Sequence, residues 1–360
     1  AVEPASARSL SRFSGRNVVK TPSRTLDAED INADPLLNVM QWSRNYDIIA
    51  IALDNILYLF DVKTNGDIDE FVKIPNSTFT CVRWFNEGPY LALASMGSVG
   101  RVDIYDIKLR RHIKSLRTYE NQRAVAMDMY NNLFAVGSSS GPILLHNLVN
   151  NKEDILRGHT QEVCDIKWQS NGRAFISGGM DGHIFVWNDR GDKKFDIRVG
   201  LPVMCLSFCP WEPSIFVSGG EGSNVIIWSS STGLCKDRVE AQFPVTAIMW
   251  NENYKELLTF HNGPQYDMRL WKWQGLSLHS PILECSDSDN DQVEHYIIHI
   301  ETIYGHLGTI LCASASPKNN VVASLSADKN LRLWDLWPKL KSTRKHGSMK
   351  LFLGGHGGIR

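Results

Sequence analysis

Short apolar runs recur along most of the chain, separated by Gly, Asn, Asp and Ser rather than by long amphipathic stretches. The runs alternate apolar and polar positions with a period of two and predict strands bounded by turns. One group reads Met204–Phe208, Ile215–Ser218 and Val225–Trp228, with the more polar Lys236–Glu240 after it. Each comparable group carries an aromatic residue or His at the end of its third run: Phe60, Tyr105, His146, Trp187, Trp228, Trp271 and Trp334. These positions are 45, 41, 41, 41, 43 and 63 residues apart. A period near forty predicts stacked four-stranded units, and seven ends predict seven of them.

Two groups agree beyond their hydrophobic pattern. His159, Ser177, Asp181 and Trp187 lie at offsets 0, 18, 22 and 28, and His306, Ser324, Asp328 and Trp334 repeat those offsets. This resembles the WD repeat of β-propellers, which implies that the four side chains form a buried hydrogen-bonded chain within one blade. A buried indole N–H needs an acceptor, and an imidazole can accept on one side and donate on the other. Both His residues are therefore expected to be structural rather than catalytic. The expected fold is all-β, a seven-bladed WD-repeat β-propeller over 22–337 whose ring closure hides most strand edges.

The flanks differ in composition. Residues 1–21 are rich in Ser and Arg and predict a disordered arm, while 338–360 are basic, then Gly-rich, and predict a flexible tail. The long sixth spacing is assigned to an acidic loop at 276–296 between blades six and seven.

Composition narrows the function. Lys and Arg number 38 against 39 Asp and Glu, a net charge of −1, so no global field draws nucleic acid or an anionic membrane. No apolar run approaches the ~20 residues of a membrane helix. The start lacks a secretory pattern, and its Ala in place of Met is expected of a processed chain or a fragment. Seven scattered Cys are expected to be buried free thiols in a reducing compartment. The expected location is cytoplasmic or nuclear, and the Asn76-Ser77-Thr78 acceptor pattern is disregarded for lack of a secretory context.

Candidate chemistry is sparse. Asp287, Asp289 and Asp291 suggest a calcium loop, but Gln292 stands where Gly is required and Ile298 where Glu would close the site. Cys205 and Cys209 are four apart without a partner His at zinc spacing. There is no Gly-x-Ser-x-Gly elbow and no phosphate loop. The Ser-Gly-Gly runs at 177–179 and 218–220 recur at one place in the repeat and mark architecture. Neither a metal, a cofactor nor an enzyme activity is expected, and a binding module is.

Residues outside the repeat pattern indicate what is bound. Arg24-Thr25-Leu26-Asp27-Ala28-Glu29 precedes blade one, followed by Asp34, Leu37-Asn38 and Trp42. Blade four opens Gly158-His159-Thr160-Gln161-Glu162-Val163-Cys164, Trp250 is followed by Tyr254-Lys255-Glu256-Leu257, and the last two residues are Ile359-Arg360. This ordered set resembles the Fizzy family of WD-repeat coactivators of the anaphase-promoting complex, a cell-cycle ubiquitin ligase. The resemblance spans about 22–337 plus the tail. It implies recruitment of degron-bearing substrates such as cyclins, with a destruction box in the groove between blades one and seven and a KEN box on the top face. It also implies docking of Ile359 and Arg360 on a ligase subunit.

Departures accompany the matches. The family's activation box is absent, and Arg12-Phe13 is a two-residue echo of it. In the destruction-box groove Asp27 matches, but a second family acid is here Lys329. In the KEN pocket Asp34 matches, while Met180 and Gly182 replace two Asn and Thr309 replaces an Arg. Such drift most resembles the divergent insect cortex branch, which acts in female meiosis. The expected function is a substrate-recruiting activator. The competing expectation is a generic WD-repeat scaffold no longer bound to the ligase.

Overall fold

In the computed structural model, which describes residues 17–64, 68–275 and 295–338, each group of runs becomes one antiparallel four-stranded sheet. Seven such sheets stand as blades around a central channel. Blade four shows the plan: Val163–Trp168 innermost, then Ala174–Gly179, His183–Asn188, and Lys193–Arg198 outermost. Ala174–Gly179 is buried at every position because neighbouring blades cover both its faces, whereas the outermost strand alternates with solvent. Blade five repeats the plan with Val203–Phe208, Ile215–Gly220, Asn224–Ser229 and Cys235–Glu240.

The repeat also carries its own irregularities. The register between third and fourth strands shifts at Trp187, Trp228 and Trp271. A bulge there turns the ring without breaking the pairing beyond it. The Ser-Gly-Gly runs serve close packing: a Cβ on Gly178 would lie 2.7 Å from Val203 of the next blade, and one on Gly219 2.7 Å from Val245.

The closing strand was not legible in the sequence. Arg24–Asp27 does not lead freely into blade one but forms the outermost strand of blade seven. It pairs Arg24 with Leu333 and Asp27 with Asn330, so the front of the chain locks its far end. This leaves blade seven with no missing strand.

Four expectations are corrected. The insertion lies inside blade six, between Met268–Trp273 and Ile297–Ile303, rather than between blades six and seven. A spacing counted between third-strand aromatics cannot say which strand gap holds the extra residues. The last residues of the expected loop are anchored: Tyr296 is buried, and its backbone N–H donates to Asp237 Oδ2 at 2.6 Å. At the front, Val18 is only 8% exposed and packs with Leu336 and Trp337 against blade six, although its neighbours Asn17 and Val19 are exposed. Among the cysteines, Cys81, Cys164, Cys205, Cys209 and Cys312 are free and buried, but Cys235 is disulfide-bonded. Cys235 begins an outermost strand rather than an inner apolar one, and Cys285 lies outside the described residues. No helix among the described residues is long and apolar enough to cross a membrane.

Candidate functional site

The WD tetrads come first because they fix the loops that carry the other candidates. In blade four, Trp187 Nε1 donates to Ser177 Oγ at 2.9 Å, and Ser177 Oγ lies 2.9 Å from His159 Nε2. His159 Nδ1 faces Asp181 Oδ1 at 2.9 Å, and that carboxylate also accepts the Thr160 N–H. The carboxylate requires a proton on Nδ1, so Nε2 accepts from the serine and the chain is directed Trp→Ser→His→Asp. Blade seven repeats it through Trp334, Ser324, His306 and Asp328 at 2.8, 2.7 and 3.0 Å. Burial pushes the Asp181 and Asp328 carboxyls up, but hydrogen bonds from His and backbone N–H groups outweigh it and hold both below the ordinary value. Each tetrad ties the loop leading into its innermost strand to the turn between its second and third strands. Blade six departs from the plan: Trp271 Nε1 donates to Thr259 Oγ1, and the imidazole comes from His261 two residues along the same strand.

Those loops and turns form one end of the ring, and the candidate residues fall there in two places. On blade seven, Asp27 ends the closing strand opposite Asn330, and the next N–H, of Ala28, donates to Lys329 O at 2.7 Å. Asp27 and Lys329 are both exposed, and among the described residues neither has an ion-pair partner. Lys329 sits at φ 64°, in the left-handed region, as the turn after Asp328 demands.

The second place centres on a residue the sequence did not single out. Arg123 donates from Nη1 to Asp34 Oδ2 at 2.8 Å and from Nε and Nη2 to the Glu162 carboxylate at 3.1 and 2.8 Å. Burial disfavours its charge, but Glu162 and Asp34 outweigh that and raise it above the ordinary arginine value. Met180 N donates to Glu162 O at 2.9 Å, which brings Met180 beside this cluster. Gly182, at φ 74°, completes the same turn, and a Cβ there would lie 3.0 Å from the Gly200 backbone. Thr309 is apart, on blade seven, donating to Asn262 Oδ1 of blade six at 2.9 Å. Arg123 and Glu162 are 39 residues apart, nearly one repeat, and a search for opposite charges one repeat apart would have paired them. Ile359 and Arg360 lie outside the described residues, as do Arg12-Phe13 and the acidic 276–294 stretch. Among the described residues no group of His, Cys, Asp or Glu could hold a metal.

Comparison with known proteins adds a second line. A family model for the WD domain, G-beta repeat, matches residues 150–188 and 298–335, the two blades with full tetrads. A model for eukaryotic translation initiation factor eIF2A matches 18–144, where the third-strand positions hold Phe60 and Tyr105 rather than Trp. The chain is 28% identical over 345 residues to cell division cycle 20.1, cofactor of APC complex, from Arabidopsis thaliana, covering 92% of this chain and 70% of the relative. It is 26% identical to the WD repeat-containing protein slp1 of Schizosaccharomyces pombe, covering 88% and 62%. It is 28% identical to the anaphase-promoting complex subunit cdc20 of Dictyostelium discoideum, covering 90% and 62%. The chain thus spans a little under two thirds of the latter two. A chain in a crystal structure of the mitotic checkpoint complex superposes with a TM-score of 0.79 at 24% identity, covering 91% of this chain and 99% of that one, a likeness of fold.

Proposed function

We propose that the chain is a member of the Fizzy family of WD-repeat proteins, with the Cdc20-type activators of the anaphase-promoting complex, and that it recruits substrates to this ubiquitin ligase. The observation that carries the reading is the extent of the likeness, 88–92% of this chain, far beyond the two matched WD repeats.

In this reading the protein is a regulator rather than an enzyme. Degron peptides lie across the end of the ring that carries the tetrad loops. Asp27 and Lys329 border the Arg subsite of a destruction box, and Asp34, Met180, Gly182 and Thr309 border a KEN-box site. Ile359 and Arg360 dock on a ligase subunit as a small handle on a Gly-rich tether, and the second weak contact acts through effective concentration. The partners are ligase subunits and degron-bearing proteins such as cyclins, in cytoplasm or nucleus, with no nucleic acid or membrane involved. The drift at Lys329, Met180, Gly182 and Thr309 supports placement near the cortex-like branch.

One observation favours the scaffold reading at the KEN-type site. Asp34 is already engaged by Arg123, so a peptide Lys must compete with an internal guanidinium for the carboxylate. Affinity capture from dividing cells, with and without Ile359 and Arg360, separates the two readings. Ligase subunits that follow the full chain and fall away from the shortened one support the activator. Equal recovery, or none with either, supports the scaffold.

A further inference from the structure

The seven innermost strands run in one direction, so their finishing ends form a rim opposite the tetrad loops. They surround a channel of about 590 Å³ that Arg44, Arg83 and Lys167 help to line. Two of these cations are neutralised on the spot. Arg83 donates from Nε and Nη2 to Asp128 Oδ1 at 3.0 and 2.6 Å, and Lys167 donates to Asp165 Oδ1 at 2.5 Å. Both carboxylates are committed further. Asp128 accepts the Met129 and Trp168 N–H groups, and Asp165 accepts those of Ile166 and Leu206. They brace one blade to the next and cannot swing toward another charge.

Arg44 is left over. It lines the same channel, is open to solvent, and has no hydrogen-bond or ion-pair partner among the described residues. Glu252 lines the channel too, but no ion pair joins it to Arg44. Although its surface is open, partial desolvation inside the channel and the repulsion of Arg83 hold Arg44 below the ordinary arginine value, against the pull of Asp128 and Glu252. The Asp128 and Glu252 carboxylates offset part of that repulsion, and an anion held by both guanidinium groups would offset the rest. A second observation points the same way. The indole Nε1 groups of Trp42, Trp168 and Trp250, all on this rim, are buried without an acceptor, whereas that of Trp84 donates to Gln41 O at 3.0 Å.

We propose that the finishing end of the channel is an anion site for a phosphoryl group, gripped by Arg44 and the free Nη1 of Arg83. The fork of a guanidinium matches phosphoryl oxygens, and donors arriving from two blades suit a tetrahedral group better than a planar carboxylate. The group belongs either to a free phosphorylated small molecule or to a phosphorylated side chain of a partner segment. The site is at the opposite end from Asp34 and does not depend on degron recognition.

The test uses the full chain at fixed ionic strength, with inorganic phosphate and a phosphoserine peptide as probes, read by calorimetry and melting temperature. Arg44→Gln removes the grip, and Arg111→Gln, on the exposed outermost strand of blade two, removes a cation elsewhere. We expect phosphate to bind the parent and Arg111→Gln alike, and Arg44→Gln at least about ten-fold more weakly. Unliganded Arg44→Gln should melt no lower than the parent, because the substitution relieves a repulsion. A phosphoserine peptide binding through Arg44 more tightly than phosphate identifies a partner segment. Phosphate binding without peptide binding identifies a free small molecule. The proposal is overturned by equal phosphate affinity in Arg44→Gln, by no response to millimolar phosphate, or by an unliganded Arg44→Gln that melts several degrees early.

Discussion

Trp187 and Ser177 meet at 2.9 Å in the fully enclosed interior of blade four, where the indole donates to a hydroxyl that is itself turned toward His159. The contact joins packing to polarity, since removing the indole leaves both a cavity and a hydroxyl short of a donor. Trp187→Ala should cost about 3–5 kcal/mol. Ser177→Ala, which orphans a buried N–H and an imidazole nitrogen at little change in volume, should cost about 1–3 kcal/mol. Urea unfolding measures both, and an unchanged midpoint for either would remove the tetrad from the account of stability.

Gly178 faces Val203 across the joint between blades four and five, too close for a methyl group. Gly178→Ala should therefore destabilise by about 1–3 kcal/mol through overpacking. Adding Val203→Ala opens the space again, so the double variant should lose less than the sum of the two single losses. Strict additivity would show that the joint does not set this glycine.

Much of this architecture was legible in the sequence because it is periodic. His159, Ser177, Asp181 and Trp187 recur at fixed offsets, and an aromatic or His closes each third strand. What could not be read depends on residues far apart in the chain. Arg24–Asp27 is four residues long and pairs with Asn330–Leu333, so no local pattern announces it as the closing strand. The blade-six insertion was placed one strand too late because period counting fixes a blade and not the gap within it. Arg123 has no motif of its own and acquires its role only where the chain leading to blade one passes the start of blade four. Of the candidate residues, Asp27 and Lys329 were read together, and backbone pairing sets them side by side.

Stability should fall on acidification, in a window set by histidine. Burial is the first cause that holds His146, His261, His299 and His306 below the ordinary 6.5, His261 at about 4. The unfolded chain takes up protons on these groups that the folded chain refuses, so stability is lost as pH drops from about 6.5 toward 4. His295, raised by its hydrogen bond to Asp237, acts in the opposite sense, its contribution being lost as pH rises through its folded value. Four groups outweigh one. Below pH 4, protonation of Asp181 and Asp328, held low in the folded state, removes more. Melting temperatures at constant ionic strength from pH 8 to 4 check the sign, and a protein that melts higher at pH 5 than at 7 would reverse it.

Lys329 and Asp27 bear most directly on the proposed recruitment of destruction-box substrates. Their opposite charges partly cancel where a destruction-box Arg would sit, so a peptide carrying that Arg should bind the parent weakly. Lys329→Glu keeps the turn and replaces a repelling charge with an attracting one, which should tighten binding by about 0.2–1 kcal/mol for an exposed pair. The decisive measurement is fluorescence anisotropy of a labelled destruction-box peptide with the parent and with Lys329→Glu, at low and high salt. The account predicts tighter binding to Lys329→Glu, with the gain shrinking as salt rises. An affinity that responds to neither the substitution nor the salt would mean that this groove does not read the degron.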